Sequence, residues 1–584
     1  MRAMNSLIPG ILFLLGLLAC TPVEQKVEIS FSETVGNRLR TKIESGRGIA
    51  NFTCRQEILC GSSVIPVFYQ RRGFAPAWSK EDGPLPQADS LLATIRGSER
   101  EGLTPHDYHL AAIESLLSGI RGKRSGGKPF DPEEGSDLDL LLTDAFLLYG
   151  SHLLAGRVNP ETLHTDWVAY NPDMDLAALL ESALAGDNVA TTLRGLLPPH
   201  PGYAGLQNAL MHYRNLASSG DWPVIPPGEN LRKGHRNYRV DLLRNRLAIT
   251  GDLDLSVAEE SSPFDEALEA AVRRFQRRHG LEDDGTVGRD TLAALNVPAE
   301  ERVRQIELNM ERWRWISHDL GKRHLLVNIP DYRMSIFENS EIRMDMRIIV
   351  GKDYTATPVF SGKIRYLQLN PYWNIPQSIA VEEILPKIRD DADYLANQRI
   401  KVFHSWRENA PEIDPDTVDW NEVDDRGFSF KLRQEPGPLN PLGRLKFIFP
   451  NKFAVYLHDT PAPGLFQNPA RGFSHGCIRV EKPLYLAAAL LRDDIRHSRE
   501  KILETIESGV QETIPLREPM PVHILYWTAW VDDGGMIQFR KDIYARDNPL
   551  DMALKESPPA AGESRTREAG SEKNYQNRTL PTSM

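Results

Sequence analysis

Cysteine is nearly absent from this chain: 584 residues hold four, at positions 20, 54, 60 and 477. So few thiols exclude a disulfide-stapled scaffold and the closely spaced cysteine pairs of structural zinc sites. Positive charge is outweighed too. The net charge of −11 excludes a general nucleic-acid binder, which needs a basic surface to neutralise phosphates. Zinc-finger, Walker and dinucleotide fingerprints are missing. The N-terminal apolar run Ile8–Leu18, behind Arg2, is too short to cross a bilayer and matches the core of an export signal. A chain this long exceeds a single hydrophobic core and predicts three or four domains.

What the chain does have is concentrated in Val455–Val480. Cys477 is the lone cysteine of the C-terminal half and stands in Ser474-His475-Gly476-Cys477. His458 ends the apolar run Phe453–Leu457, nineteen positions earlier. A thiol needs a base to act as a nucleophile near neutral pH, and the two partners meet in space rather than in sequence. A strand ending at His458, a Pro/Gly-rich loop and a return to Cys477 would bring them together. Gly476 keeps the surrounding backbone N–H groups open for an oxyanion. The residues alone leave two other readings: an inert buried thiol, or a zinc site using His458, His475 and Cys477.

The SHGC tetrad, with Ile478-Arg479-Val480 after it and His458 upstream, resembles the active-site signature of YkuD-type L,D-transpeptidases. The resemblance implies Cys477 as nucleophile and His458 as base, with the main-chain carbonyl of Asp459 orienting the imidazole. It places His475 and Gly476 on the oxyanion side. Arg479, with Tyr456 and Ser474 nearby, would bind substrate. The implied reaction passes through a thioester on a stem tetrapeptide and yields 3→3 cross-links in peptidoglycan. It needs no cofactor or metal, and carbapenems are the expected covalent inhibitors. Water or a protein amine as acceptor would make the enzyme an L,D-carboxypeptidase or a protein-to-peptidoglycan ligase. A reading from another class is a non-catalytic peptidoglycan-binding lipoprotein.

The expected fold class is multidomain α+β, and the chain divides accordingly. Residues 1–19 read as a signal peptide and 20–54 as a tether. Leu17-Leu18-Ala19-Cys20 resembles a lipoprotein box, which implies lipid on Cys20 and a periplasmic, membrane-anchored protein. In an oxidising compartment Cys54 and Cys60 are expected to pair, the other reading being two thiols. Residues 55–225 are mostly helical and resemble the scaffold region of long Gram-negative L,D-transpeptidases; His106, His109 and His152 read as surface or packing residues rather than ligands. Residues 235–297, with apolar spacing at Leu268, Ala271, Val272 and Phe275, resemble a three-helix peptidoglycan-binding domain. Its basic run Arg273, Arg274, Arg277 and Arg278 also reads as a solvated helix face. A connecting helix over 298–320 precedes a mostly β catalytic domain over 321–376 and 441–548. Between them, 377–440 reads as a helical and loop cap insertion, a lid in the resemblance. The polar tail 549–584 reads as disordered.

Overall fold

The leucine-dense run of the first domain becomes the helix Pro132–Ala155, opened by Asp131, whose side chain accepts from Glu133 N. By length and composition it passes for a membrane span, yet it is sheathed by protein almost throughout. Helices Pro86–Arg96, Leu110–Ser125 and Leu176–Ala185 pack on it through Leu91, Ile113, Leu117 and Leu180. The computed structural model describes residues 30–46, 52–170, 172, 174–220, 222–254, 262–423 and 427–556. The export segment, Cys20 and residues 557–584 lie outside the described residues.

Two expectations for the N-terminal region are corrected. Residues 31–46, read as tether, form the helix Phe31–Gly46, with Val35, Leu39 and Ile43 buried four residues apart against Pro132–Ala155. Its polar composition hid the stripe: Arg38 and Lys42 turn outward to Glu133 and Asp137. No disulfide joins Cys54 and Cys60. The Cys54 thiol donates to Asp137 Oδ1 at 3.5 Å, whereas the Cys60 thiol lies 3.8 Å from the Ile58 carbonyl. His109 and His152 are buried packing residues, held by Asp144 and Glu57 and by Tyr108 respectively.

Helices Tyr238–Ile249, Glu266–Arg278 and Arg289–Leu295 enclose a separate core of Val240, Leu243, Val272, Phe275 and Leu295. The basic run there is not simply a solvated face. Arg278 is buried in an ion pair with Asp252, Arg274 donates to the Asp252 carbonyl, and Arg273 reaches Glu269.

The next helix, Ala299–Arg314, serves two neighbours. On one flank Glu311 accepts from the N–H groups of Arg157 and Val158, and Arg314 donates to Glu311 and the Tyr203 hydroxyl. On the other, Asn309 exchanges hydrogen bonds with Thr528, and Arg312 reaches Asp547 at 2.6 Å.

The large C-terminal sheet uses β1 (Arg323–Asn328), β2 (Arg333–Glu338), β3 (Glu341–Gly351) and β4 (Phe360–Leu369). The insertion supplies β5 (Trp373–Asn374), β6 (Ile400–Phe403), β7 (Glu412–Ile413) and β8 (Lys431–Gln434). The main sheet resumes with β9 (Leu445–Ile448), β10 (Leu457–His458), β11 (Gly472–Ser474), β12 (Ile478–Val480) and β13 (Glu512–Leu525). Its order is β11-β3-β12-β10-β9-β4-β13-β1-β2, and a further β2–β3 pairing closes it on itself. Leu325, Val327, Ile348, Leu367, Phe447, Ile478 and Val522 fill the interior, as closure requires of inward alternate positions.

The insertion differs from the helix-and-loop expectation. It carries an antiparallel sheet, order β7-β6-β8-β5, over a core of Ile375, Ile384, Leu385, Val402 and Leu432. Its strands span two to four residues and pair across long loops, so each is too short to announce itself by alternation. Asn440, fully buried, donates to the Pro371 and Glu435 carbonyls and clasps the two crossings into the insertion. The start of the expected disordered tail is likewise ordered: Asp547–Lys555 is a helix with Leu550 buried and Asp551 paired to Arg304.

Candidate active site

Strand pairing builds the site. The parallel pair β10–β12 aligns Leu457 with Ile478 and His458 with Arg479, while antiparallel β9 sets Lys446 opposite His458. Register partners share a face and residues two apart on a strand share it too. Lys446, Tyr456, His458 and Arg479 therefore project on one side, away from the core residues Phe447, Leu457 and Ile478. Cys477, one residue before β12 and next to the core-facing Ile478, falls on the same side, where Tyr456, Lys446 and Arg479 act on its thiol. The sequence-selected pair Cys477 and His458 is brought to one face.

His458 is buried, and its Nδ1 lies 2.6 Å from the Asp459 carbonyl. A carbonyl only accepts, so Nδ1 carries the hydrogen and Nε2 keeps its lone pair. Burial, with Arg479 beside it, pushes the imidazole down to about 3. Burial also pushes the Cys477 thiol up, against a downward pull from Tyr456, Lys446 and Arg479. Near neutral pH the resting pair is thus thiol and neutral imidazole, not an ion pair. The Asp459 side chain holds the preceding turn: its Oδ2 accepts from Arg444 N at 2.9 Å. Gly443, at φ +61, is required beneath it, because a Cβ would come 2.5 Å from the Asp459 Cγ.

The SHGC turn is clamped from behind by residues 351–357. Thr357, fully buried, donates from Oγ1 to the Gly476 carbonyl and accepts from Gly351 N, both at 2.9 Å. Thr355 Oγ1 and Lys352 N donate to the Ser474 carbonyl. Gly476 adopts φ +106, a conformation closed to ordinary side chains. Its N–H donates to Ser474 Oγ at 3.2 Å, and that hydroxyl donates to the Cys477 carbonyl. The Gly476 N–H is therefore engaged within the turn. Among the described residues, the N–H groups of His475 and Cys477 have no protein acceptor.

The side chains of Ser474 and His475 turn elsewhere. Ser474 is buried and spends its hydroxyl inside the turn rather than facing a substrate. The His475 side chain points out to the insertion, where Nε2 meets Glu383 Oε1 at 2.6 Å. That contact separates it from His458 and Cys477, and among the described residues no group of three His, Cys, Asp or Glu side chains is arranged around a metal. Arg479 is half-buried, its Nε lacks a partner, and burial lowers its pKa. Sequence reasoning missed Lys446 and Thr357. Lys446 was one cation in a strand of alternating residues, and only its register with His458 gives it significance.

Three family models match the chain: an L,D-transpeptidase catalytic domain over residues 322–506, a domain described as "Putative peptidoglycan binding domain" over 236–295, and a scaffold domain over 63–210. A Haemophilus influenzae protein (strain ATCC 51907 / DSM 11121 / KW20 / Rd) named "Putative L,D-transpeptidase" is 33% identical over 251 residues, 43% of this chain and 50% of that protein. The match thus spans about half the length of the curated relative. Solved L,D-transpeptidases from Xylanimonas cellulosilytica (residues 123–326) and Stackebrandtia nassauensis align over 51% and 52% of this chain. They are covered to 98% and 96%, with 13% identity in each and TM-scores of 0.17 and 0.18.

Proposed function

We propose that this chain, whose residues 322–506 are a YkuD-type L,D-transpeptidase catalytic domain, forms 3→3 cross-links in peptidoglycan through a thioester on Cys477. His458 Nε2 takes the Sγ proton as sulfur bonds the carbonyl carbon of the diamino acid at position three of a stem tetrapeptide. The C–N bond to the terminal D-alanine breaks, and the proton leaves on its amine. An acceptor amine then attacks the thioester and gives up one proton to His458, the S–C bond breaks, and His458 passes that proton to sulfur. Because the resting pair is neutral, proton transfer accompanies attack rather than preceding it. The open N–H groups of His475 and Cys477 receive the oxyanion, at about 3 kcal/mol for a well-aimed donor. Arg479 takes a carboxylate of the donor peptide.

The observation that carries this reading is the common face of Cys477 and His458, with the imidazole tautomer fixed by the Asp459 carbonyl. The peptidoglycan-binding domain over 236–295 supports a wall substrate, and a wall substrate implies export to the periplasm. Lipid on Cys20 would tether the protein to a membrane.

Intact-mass measurement after carbapenem exposure tests the chemistry. The wild type is expected to gain one adduct and Cys477→Ala none; a folded wild type without adduct overturns the reading. Muropeptide analysis of sacculi incubated with the enzyme tests the product. Tripeptides without new 3→3 dimers would instead assign water as the acceptor.

A further inference from the structure

Two cations stand beside Cys477, and among the described residues neither has an acidic partner. Lys446 is half-buried on β9 opposite His458, with Nζ 4.0 Å from the ring centroid of Tyr456, and Tyr456 and Cys477 act on each other electrostatically. Arg479 stands across β10 in register with His458. The acids nearest in the fold are committed elsewhere, Asp459 to Arg444 and Glu383 to His475. An ammonium withdrawn from water without a counter-ion costs stability, and an apolar side chain of similar length would pack there at no such cost. A cation kept under those terms is matched to a negative charge that appears only during turnover.

We propose that Lys446 is a positioning residue for acyl transfer, an ammonium built in to balance the charge that develops on the Cys477 sulfur. This rests on Cys477 being the nucleophile. The titratable and charged groups on the sulfur's side of the sheet are Tyr456, just before β10, His458 from β10, Lys446 from β9 and Arg479 from β12. His458 stays neutral through the physiological range, so Tyr456 and the two fixed cations, Lys446 the stronger of the pair, are what favour thiolate over thiol. Lys446 and Cys477 act on each other in the matching sense: the lysine lowers the thiol, and the thiolate raises the lysine against its burial.

Alkylation of Cys477 by iodoacetamide, followed in the full chain by the mass of its peptide between pH 6 and 10, tests this for wild type, Lys446→Arg and Lys446→Met. K446M is expected to move the alkylation midpoint up by about one to three pH units, slowing the reaction at pH 7.5 tenfold or more. K446R should stay within about threefold of wild type, since its cation is retained. K446M should also melt at or above the wild type, because it removes a buried unpaired charge. A wild-type midpoint in folded K446M overturns the inference. If K446M does not fold, K446Q carries the same test. Alkylation needs no wall substrate. An unmoved midpoint with 3→3 products intact therefore refutes this inference alone, whereas a shifted midpoint without such products refutes the function alone.

Discussion

Thr357→Val tests how the nucleophile turn is held. Valine matches the shape of threonine but carries no hydroxyl, so the Gly476 carbonyl and the Gly351 N–H both lose their 2.9 Å partner in a place with no exposure. Each orphaned buried group costs about 1–3 kcal/mol, and relaxation of the turn recovers part of the sum, giving about 2–4 kcal/mol. Local opening of residues 472–480 then becomes roughly 30- to 1,000-fold more frequent, at about 1.4 kcal/mol per tenfold. Hydrogen–deuterium exchange of that peptide in the intact protein is the direct assay. Thr357→Ser keeps the hydroxyl and loses one methyl, so its exchange should stay within about tenfold of wild type. Carbapenem acylation should follow the same order, because the N–H groups of His475 and Cys477 are aimed by this turn. Equal exchange in the valine and serine variants would refute the clamp, whatever their melting temperatures.

Three further outcomes follow from the site and the buried polar groups. The rate of Cys477 acylation should show no inflection near pH 6.5 and hold down to about pH 5, since His458 is pushed down to about 3 and remains a base there; a pH–rate profile with an acid limb near 6.5 would contradict this. Stability should be fully present above pH 6.5 and decline as pH falls toward 4 and 3. His152 and His458, near 3, and His164 and His523, near 4, are folded as neutral rings that the unfolded chain protonates first. A melting temperature flat between pH 7 and 4.5 would refute that. Asn440→Ala should free the insertion at its base, costing about 1–3 kcal/mol locally, and limited proteolysis within 373–440 should accelerate while cleavage elsewhere does not.

Cys477 and His458, the proposed nucleophile and base, could be paired from the sequence because both sit at strand ends joined by one loop, and local patterning reports such elements well. The Asp459 carbonyl lies next to His458 in sequence and shares that legibility, whereas the Gly476 N–H, expected on the oxyanion side, is held by Ser474 Oγ. Lys446 and Thr357 were not legible, since each acts through a contact made across the sheet or from another turn, and single-sequence patterning holds no register information. The side-chain partners of Ser474 and His475 were hidden for a related reason: a hydroxyl three residues from Cys477 folds back on its own turn, and an imidazole on that turn finds Glu383 in a distant segment. The helix Phe31–Gly46 was concealed by composition, although Val35, Leu39 and Ile43 carry the spacing. The insertion sheet has strands too brief for a period to register.

The helix Ala299–Arg314 sets how the parts of the molecule relate. Its charged and amide side chains are buried on both flanks, and apart from the Arg314–Glu311 and Asn309–Gln305 bonds within the helix, the bonds named above form only while the all-helical region and the β barrel are docked. Pulling the two apart would strand Glu311, Arg312 and Arg314 together, a penalty far above that of an ordinary hinge. A fragment cut just before β1 would leave Thr528 and Asp547 without these partners on a bare surface. The chain therefore behaves as a rigid tool with its working end brazed to its handle, and a trimmed barrel is a poor proxy for the whole.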